Sequence, residues 1–252
     1  MSERHAIGRV RHTLKMRRLA VSHVRRLTPH MVRVTLTGAD LEGFVSAAPD
    51  DHVKLFFPVA EGVFNLPVFG PEGPVYPEGV EPSPSRDYTP RRYDASLGEL
   101  DIDFVLHGDG PASTWAAQAT PGQHLHIGGP RGSMIVPGDY DHYVLVGDAT
   151  ALPAIGRWLE EMPAETKVTV LVEIDSDAER QALKREVRWF VPGESPSLDD
   201  AVASLPMPDG DTFWWVAVES KRARTLRSLL VEQRGVDKDW VKATGYWVSS
   251  PP

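Results

Sequence analysis

The spacing of hydrophobic residues divides the chain into two parts that meet near residue 138. In the first part, short runs alternate between hydrophobic and polar positions, and turn residues separate them at close intervals. The clearest of these runs lie at 32–36, 53–57, 100–104 and 124–127. Alternation with a period of two predicts antiparallel strands that face a core on one side, as in a β-barrel.

The second part has apolar runs that are each followed by a helical or polar stretch. The runs lie at 143–146, 168–174 and 213–218, and helices are predicted over 151–161 and 222–234. This order is typical of a parallel sheet covered by helices.

Composition narrows the class of protein. Hydrophobic residues make up 41% and charged residues 25% of the 252 residues, as in ordinary globular enzymes. No apolar run approaches the roughly 18–20 residues that span a bilayer, and the start of the chain lacks the apolar core of a signal peptide. We therefore expect a cytoplasmic protein with no membrane partner. The chain has no cysteine, so any redox chemistry requires a bound cofactor.

The net charge of −8 argues against a nucleic-acid partner. Basic residues are nevertheless concentrated at the start, where residues 1–26 hold eight Lys or Arg and one acid. A basic arm that binds nucleic acid is one interpretation. The apolar residues Val21, Val24 and Leu27 favour another, a folded segment at the rim of the first domain that faces solvent or an anionic ligand.

Residues 86–91 read Arg-Asp-Tyr-Thr-Pro-Arg, and they suit different parts of a flavin. The Tyr88 ring can lie against the isoalloxazine ring, and the Thr89 hydroxyl can hydrogen-bond a ring nitrogen. Arg86 and Arg91 can bind phosphate through several donors. Thr-Pro favours extended backbone, so Arg86 and Tyr88 are expected on the side of the strand opposite Thr89. For this segment alone, a charged strand edge with a surface tyrosine is the other interpretation.

A second segment reads as a strand, a turn of small residues and a helix. The strand at 104–107 leads into the turn at 108–112, and Ser113 is predicted to cap a helix over 114–119. Exposed amides and the positive end of a helix dipole suit a pyrophosphate.

A third segment has the same form in the second part of the chain. The apolar strand at 143–146 leads into the turn at 147–151, and a helix follows. Pro153 is compatible with the first turn of that helix.

In this order, these segments resemble the siderophore-interacting proteins, which are FAD-dependent ferric-siderophore reductases of the ferredoxin-reductase superfamily. The resemblance covers most of the chain. It extends to Asp-His-Val-Lys-Leu-Phe-Phe-Pro at 51–58, Gly-Pro-Arg-Gly-Ser at 129–133, Val-Arg-Trp-Phe at 187–190 and Ala-Thr-Gly-Tyr-Trp at 243–247.

The resemblance implies a two-domain protein and an enzymatic function. An antiparallel FAD-binding β-barrel over 1–138 would precede a parallel-sheet α/β domain over 139–252 that binds NAD(P). NAD(P)H would reduce the flavin, which would pass electrons to Fe(III) in a ferric siderophore and release Fe(II) for iron assimilation. A ferredoxin is an alternative donor, and a monomer is expected. The flavin carries the chemistry, so no catalytic side chain is required.

The residue chemistry and the resemblance together give candidate residues for each site. Those expected to bind FAD are Arg86, Tyr88, Thr89, Arg91, His107, Gly110, Pro111, Ala112, Ser113, Trp115, Thr150, Ala151, Tyr246 and Trp247. The candidates for NAD(P) are Asp148, Pro153, Ser176, Arg180 and Glu219. Those expected to contact an anionic ferric siderophore are Lys54, Arg131 and Lys242.

The identity of the nicotinamide donor stays open. The second domain lacks Gly-x-Gly-x-x-Gly, which disfavours a standard dinucleotide-binding Rossmann site. The resemblance instead places the turn at 147–151 beneath the nicotinamide ring. Glu173 and Asp175 suit a free ribose hydroxyl, whereas Ser176 and Arg180 suit a 2′-phosphate, so NADPH is only slightly favoured over NADH. A solvated turn is the other interpretation of these residues.

The chain departs from the family after Gly-Tyr-Trp. The family usually continues with Arg, which adds a positive charge, whereas this chain has Val248. Lys242 or an arginine at 222–227 is a candidate substitute. The departure keeps two alternatives open, a general flavin reductase or electron-transfer flavoprotein with another acceptor, and a non-catalytic siderophore-binding protein of the same fold.

Two features complete the sequence picture. The nine histidines are scattered, with His124 and His126 as the one close pair, so no protein-bound metal site is predicted. Residues 62–85 contain six prolines and four glycines, and they predict a long extended loop. An insertion is favoured over a lid on the flavin.

Overall fold

The computed structural model describes residues 4–70 and 73–249. Positions 1–3 and 250–252 of the predicted domains, and 71–72 of the predicted loop, lie outside the described residues. The chain forms two compact units. Among the described residues, the first unit is Arg9–Ile135, and the second unit comprises residues 136–249 together with residues 4–8.

The first unit is built mainly from strands. In chain order they are β1 (Gly8–Arg11), β2 (Met16–Thr28), β3 (Met31–Thr37), β4 (Val53–Phe56), β5 (Val68–Gly70), β6 (Gly73–Val75), β7 (Ser85–Tyr88), β8 (Pro90–Asp94), β9 (Glu99–Val105), β10 (His124–Gly128) and β11 (Gly132–Ile135). Helix α1 (Pro111–Ala117) connects β9 to β10.

Seven of these strands form one sheet in the order β7-β4-β10-β2-β3-β9-β8. Every neighbouring pair is antiparallel. The predicted antiparallel β-domain is therefore confirmed. Strand β1 pairs with β11, and β5 pairs with β6.

Alternation along the strands explains how this sheet covers its core. Val34 lies opposite Ile102 in the β3–β9 pair, and both side chains are fully buried. The next pair, Arg33 and Asp103, points to the other face, where the Arg33 Nε donates to the Asp103 carboxylate at 2.6 Å. A period of two thus places the apolar side chains on the core face and the paired charges on the opposite face, where Asp103 is itself buried.

The second unit alternates strands and helices. Its strands are β12 (His142–Asp148), β13 (Val168–Glu173), β14 (Arg188–Phe190), β15 (Thr212–Glu219) and β16 (Val241–Trp247). Its helices are α2 (Leu152–Glu161), α3 (Leu198–Ser204) and α4 (Ser220–Ser228).

The five strands of the second unit form a parallel sheet in the order β14-β13-β12-β15-β16. From the central strand β12, the chain forms β13 and β14 on one side of the sheet. It then returns to form β15 and β16 on the other side. In such sheets, ligands bind beyond the carboxyl ends of the strands, where the chain direction switches. Here that edge carries Asp148, Glu173 and Glu219, the last residues of β12, β13 and β15. The predicted parallel α/β domain is confirmed.

Two tryptophans show why β15 reads as an unbroken apolar run. Trp214 and Trp215 are both fully buried. Neighbouring residues of a strand face opposite sides, so a sheet covered on both faces buries both of them.

The structure differs from the sequence predictions in two connecting segments. The predicted helix over 222–234 begins at Ser220, ends at Ser228 and continues as a π-helical turn over Leu229–Gln233. The predicted long loop contains the β5–β6 hairpin, in which Val68 lies opposite Val75.

Residues 4–8 belong to the second unit, whereas the sequence placed them in the first domain. The His5 side chain is only 7% exposed and stacks on the Tyr140 ring with a centroid separation of 3.9 Å. Its Nδ1 lies 2.8 Å from Asp139 Oδ1, and its Nε2 lies 2.9 Å from Asp211 Oδ2. The sequence could not predict this placement because it depends on contacts of His5 with residues that are far away in the chain.

Candidate functional site

Tyr88 presents a flat ring at the end of β7, as the flavin prediction requires. Its ring centroid lies 4.5 Å from that of Phe104, so the core of the first unit supports one side of the ring. Burial raises the pKa of the Tyr88 phenol, and the Arg86 charge opposes this only weakly. The phenol is therefore neutral at physiological pH. Thr89, the next residue, is buried.

The two arginines of the motif have different surroundings. Arg86 is exposed, and its Nη1 donates to the Ser85 carbonyl at 2.8 Å. The Arg91 side chain is 11% exposed, and its Nε lies 4.0 Å from Asp103 Oδ2. Arg86 is therefore the more accessible of the two to a ligand, and the phosphate-binding role of Arg91 stays a prediction.

The segment from His107 to Trp115 forms the predicted strand–turn–helix, but with a different helix start. Gly110 is the N-cap and Pro111 occupies the first turn of α1. The Ser113 hydroxyl instead accepts from the His107 amide at 2.9 Å. The prediction of Ser113 as N-cap is wrong, because proline at the first helical position favours an earlier start.

Trp115 joins the aromatic cluster that supports Tyr88. Its ring centroid lies 5.7 Å from Phe104 and 5.9 Å from Phe57. Ala112, in the first turn of α1, is buried in the same core. The first unit therefore brings Tyr88 and Trp115, which are distant in sequence, into one aromatic cluster.

The candidate substrate residues are basic side chains at or near the surface. Lys54 Nζ lies 2.7 Å from Asp87 Oδ1 across the β4–β7 pair, and both side chains are about half exposed. Arg131 is exposed, and Lys242 is half-buried in β16. Val248, at the position where the family usually has arginine, is 74% exposed.

In the second unit, Asp148 connects the turn after β12 to the end of β16. Asp148 Oδ1 accepts from the Thr150 amide at 2.9 Å and from the Thr150 hydroxyl at 2.5 Å. Its Oδ2 accepts from Trp247 Nε1 at 2.8 Å. Burial raises the Asp148 pKa despite these hydrogen bonds. Three predicted site residues, Asp148, Thr150 and Trp247, are thus held together by hydrogen bonds.

The neighbouring candidates are held by packing. Ala151 is fully buried, and Pro153 is buried in the first turn of α2, as predicted for a proline there. The Tyr246 ring meets Trp215 edge to face at 6.0 Å.

The remaining nicotinamide candidates have local partners. Glu219 Oε2 accepts from the Lys221 and Arg222 amides at 2.7 and 3.0 Å, so its carboxylate caps α4. Arg180 Nη2 lies 2.7 Å from Asp177 Oδ1 on the surface. Ser176 precedes the short 3₁₀ turn Asp177–Glu179 without a capping bond from its side chain. The nicotinamide roles of these residues stay predictions.

Sequence reasoning missed the role of Arg222 at this edge. Its two Nη atoms donate to both Glu173 oxygens at 2.5 and 2.9 Å, and its Nε donates to Asp199 at 2.9 Å. The hydrogen bonds that Arg222 donates to Glu173, and then that to Asp199, raise the Arg222 pKa against the effect of burial. The partners lie 49 and 23 residues away in the chain, so no local pattern could have found them.

Two kinds of feature are absent from the residues that the structure describes. Among these residues, no group of three or more His, Asp or Glu side chains is arranged to hold a metal ion. None of the helices within 4–70 and 73–249 is both long and apolar enough to cross a membrane.

Comparison with known proteins covers both units. Residues 20–134 match the model of the siderophore-interacting FAD-binding domain, and residues 140–250 match that of the siderophore-interacting protein. The chain is 39% identical over 246 residues to the NADPH-dependent ferric-chelate reductase of Escherichia coli K12, covering 95% of each protein. It is 36% identical over 234 residues to the ferric vibriobactin reductase ViuB of Vibrio cholerae, covering 88% of this chain and 85% of ViuB.

Solved structures agree with these matches. A siderophore utilization protein from T. fusca superimposes with a TM-score of 0.89 at 39% identity, covering 98% of both chains. The ferredoxin reductase of carbazole 1,9a-dioxygenase shares the fold, with a TM-score of 0.69 at 18% identity over 93% of this chain and 70% of that one. The chain thus has the ferredoxin-reductase type of fold and belongs to the siderophore-interacting protein family.

Proposed function

We propose that this protein is an FAD-dependent reductase that passes electrons from NADPH to Fe(III) in a ferric siderophore. The observation that carries the proposal is the arrangement of Arg86, Tyr88 and Thr89. The neutral Tyr88 ring packs against Phe104. The exposed Arg86 lies two residues before Tyr88, and the buried Thr89 follows it. These groups fit a flavin ring and its phosphate. Relatives named as ferric-chelate and ferric vibriobactin reductases support the acceptor.

The protein's own residues bind and orient the reactants in this proposal. FAD, when bound, supplies the redox chemistry by accepting two electrons and releasing them singly. Tyr88 and Thr89 position the ring, and Arg86 binds phosphate. In the first unit, Arg91, His107, the 110–113 turn and Trp115 are also proposed to bind FAD. In the second unit, Thr150, Ala151, Tyr246 and Trp247 are proposed to bind FAD.

We place the nicotinamide nucleotide at the carboxyl edge of the parallel sheet. Asp148 and Pro153 lie nearest the turn after β12, and Ser176, Arg180 and Glu219 lie farther along the edge. NADPH rather than a ferredoxin is the proposed donor, because the E. coli relative carries NADPH dependence in its name. Lys54, Arg131 and Lys242 are the proposed contacts for an anionic ferric chelate.

A cytoplasmic monomer is the proposed state, because NADPH is an intracellular metabolite and the chain carries both proposed nucleotide sites. Size-exclusion chromatography with light scattering tests the monomer, and cell fractionation tests the location.

The visible spectrum of the purified protein under anaerobic conditions tests the function. We expect flavin absorption that bleaches with NADPH and returns with a ferric siderophore. Bleaching without recovery would support the alternative, a general flavin reductase, which the uncharged, exposed Val248 favours. A colourless protein that takes up no added FAD would contradict the proposal.

Substitution of Arg86 tests the proposed FAD site. Arg86→Leu should weaken FAD binding about tenfold, because a charge-assisted contact to phosphate is lost. Arg25→Leu, which also removes an exposed arginine of the first unit, is the matched control. Equal FAD affinity of the two variants would remove Arg86 from the site.

A further inference from the structure

Asp87 lies in the middle of the Arg86–Arg91 segment but has no part in the proposed FAD site. On the neighbouring strand β4, Val53 and Leu55 are fully buried in the core, and Lys54 between them is exposed. Asp87 is directly opposite Lys54 in the β4–β7 pair. Because side chains alternate along a strand, Lys54 and Asp87 both lie on the outer face of the sheet.

The Asp87 carboxylate offsets the charge of Lys54. Lys54 Nζ lies 2.7 Å from Asp87 Oδ1, and the two side chains are 48% and 51% exposed. An ion pair this exposed contributes little to the stability of a fold. Its main consequence is therefore for ligands, because a charged ligand that reaches Lys54 also meets Asp87.

The other side of Lys54 is open to a ligand. Gly128 of β10 lies opposite Lys54 on that side and has no side chain to cover it. The turn after Gly128 carries the exposed Arg131. A Cβ added at Gly129 in this turn would lie 3.8 Å from the His52 carbonyl oxygen, so the turn packs beside the start of β4. Lys54 and Arg131 therefore belong to one region of the surface.

Acidic residues limit the positive charge of this region. Lys54 and Arg131 carry two positive charges and Asp87 carries one negative charge, so these three side chains sum to one positive charge. Lys15 lies near the same turn, where its carbonyl accepts from the Gly129 amide at 3.3 Å. Its Nζ donates to the Asp40 carbonyl at 3.4 Å, so an acid accompanies this lysine as well.

We propose that Asp87 determines the charge class of the substrate, which is a ferric chelate with little net charge rather than a multiply anionic one. The inference rests on the proposed function, since it concerns the chelate that receives the electrons. Three hydroxamate groups balance the charge of Fe(III), whereas three catecholate groups leave the chelate triply negative. At Lys54, a triply negative chelate is attracted by the ammonium group but repelled by Asp87, and an uncharged chelate meets no such repulsion.

Binding of two ferric chelates to the oxidised, FAD-loaded protein tests this inference. One ligand is a hexadentate trihydroxamate, whose ferric complex is uncharged, and the other is a hexadentate tricatecholate, whose ferric complex is triply negative. Quenching of tryptophan fluorescence gives the affinities, and no reduction occurs because NADPH is left out. The wild type should bind the uncharged chelate at least about threefold more tightly than the triply negative one. Asp87→Asn should tighten binding of the triply negative chelate about fivefold and change that of the uncharged chelate less than about 1.5-fold.

Three controls separate charge from other effects of the substitution. Asp87→Glu keeps the charge and should leave both affinities within about twofold of wild type. Glu78→Gln removes an exposed acid elsewhere in the first unit and should leave them unchanged. High salt should reduce the gain of Asp87→Asn, because it screens charges. Thermal unfolding of each variant establishes that it is folded.

The outcomes separate the inference from the proposed function. If the wild type binds the triply negative chelate more tightly, the assigned substrate class is wrong. If Asp87→Asn changes both affinities equally or neither, Asp87 does not select by charge. If the wild type binds neither ferric chelate, the proposed function itself fails, and the inference fails with it.

Discussion

At the residue scale, Asp51 is a buried carboxylate that joins separate segments of the first unit. Its Oδ2 accepts from the Ser46 hydroxyl at 3.0 Å, the Ala48 amide at 3.1 Å and the Ser133 hydroxyl at 2.7 Å. Ser133 lies 2.7 Å from His12 Nε2 in turn. The carboxylate thus ties β11 to the loop before β4.

Removal of this carboxylate should destabilise the protein. Asp51→Ala leaves two hydroxyls and an amide without their charged partner, and it should lower the free energy of unfolding by about 2–3 kcal/mol. Urea denaturation measures the change. Asp109→Ala, at an exposed position of the same unit, should stay within about 0.5 kcal/mol of wild type. Equal stability of the two variants would contradict the assigned role.

His5 gives the second unit a pH-dependent contact. Burial lowers the His5 pKa, but hydrogen bonds to Asp211 and Asp139 outweigh it and raise the pKa above 6.5. Both ring nitrogens face carboxylates, so only the doubly protonated ring donates to both. The contribution of the protonated His5 to the free energy of unfolding is complete below about pH 6.5. It is lost as the pH rises through the folded-state pKa of His5. The Asp139 pKa is lowered from 3.8, chiefly by the His5 amide, so acid also weakens the contact.

Substitution of His5 should therefore matter most in weak acid. We expect His5→Gln to lower the free energy of unfolding more at about pH 5.5 than at about pH 8.5. Urea denaturation at both pH values gives the two differences. His23→Gln, at an exposed position, should show no such dependence. A His5→Gln effect that is constant with pH, or larger at high pH, would contradict the ion-pair interpretation.

The place of Pro153 was predicted correctly because local chemistry decides where proline fits in a helix. Pro153 occupies the first turn of α2, where its missing amide hydrogen is tolerated. The cap at Ser113 was misassigned because the sequence offered two compatible helix starts, and Pro111 determined which one formed.

At the element scale, the close packing of α2 on β12 depends on Gly147. A Cβ added there would lie 2.5 Å from the Ala151 Cβ and 3.0 Å from Ile155 Cδ1. The glycine therefore lets the helix approach the strand and sets the turn that holds Asp148 and Thr150.

A methyl group at this position should be costly. Gly147→Ala should lower the free energy of unfolding by about 1–3 kcal/mol, because the helix must move away from the strand. A Cβ at Gly138 meets nothing within 4 Å, so Gly138→Ala is the control and should stay within about 0.5 kcal/mol of wild type. Chemical denaturation monitored by tryptophan fluorescence compares them. If both alanines are tolerated equally, the approach of helix to strand is not limited by this glycine.

Elements with a strong periodic pattern were predictable from the sequence. The exact ends of these elements and the short strands and turns between them were not. Strand β9 and helix α2 follow from hydrophobic spacing alone, which reflects burial of one face or both. The π-helical turn after α4 and the β5–β6 hairpin carry no comparable periodic signal. Their geometry depends on what surrounds them.

At the scale of the whole molecule, charge affects how an anionic ferric chelate approaches. The net charge of −8 opposes association, and the proposed contacts Lys54, Arg131 and Lys242 are local exceptions. Lys54 is itself paired with Asp87. An added positive charge at the exposed position 248 would strengthen the local attraction.

We expect Val248→Arg to increase activity towards an anionic ferric siderophore. The variant should raise kcat/KM for an anionic ferric siderophore about two- to fivefold at low ionic strength, and the gain should fade in high salt as charges are screened. Steady-state kinetics across a salt series measures it. Val248→Gln is the neutral control of similar length. A gain that survives high salt, or that glutamine reproduces, would show that charge is not the cause.

The sequence by itself determined the two kinds of sheet and the residue types of the Arg86–Arg91 motif. These depend on hydrophobic period and on side-chain chemistry, both of which are written in neighbouring residues. Only the tertiary structure decided which distant residues meet. Trp247 and Asp148 are 99 residues apart, Ser133 and Asp51 are 82 apart, and Arg222 and Glu173 are 49 apart. Such pairs form because packing of the sheets and helices brings them within hydrogen-bonding distance, and no local pattern encodes that geometry.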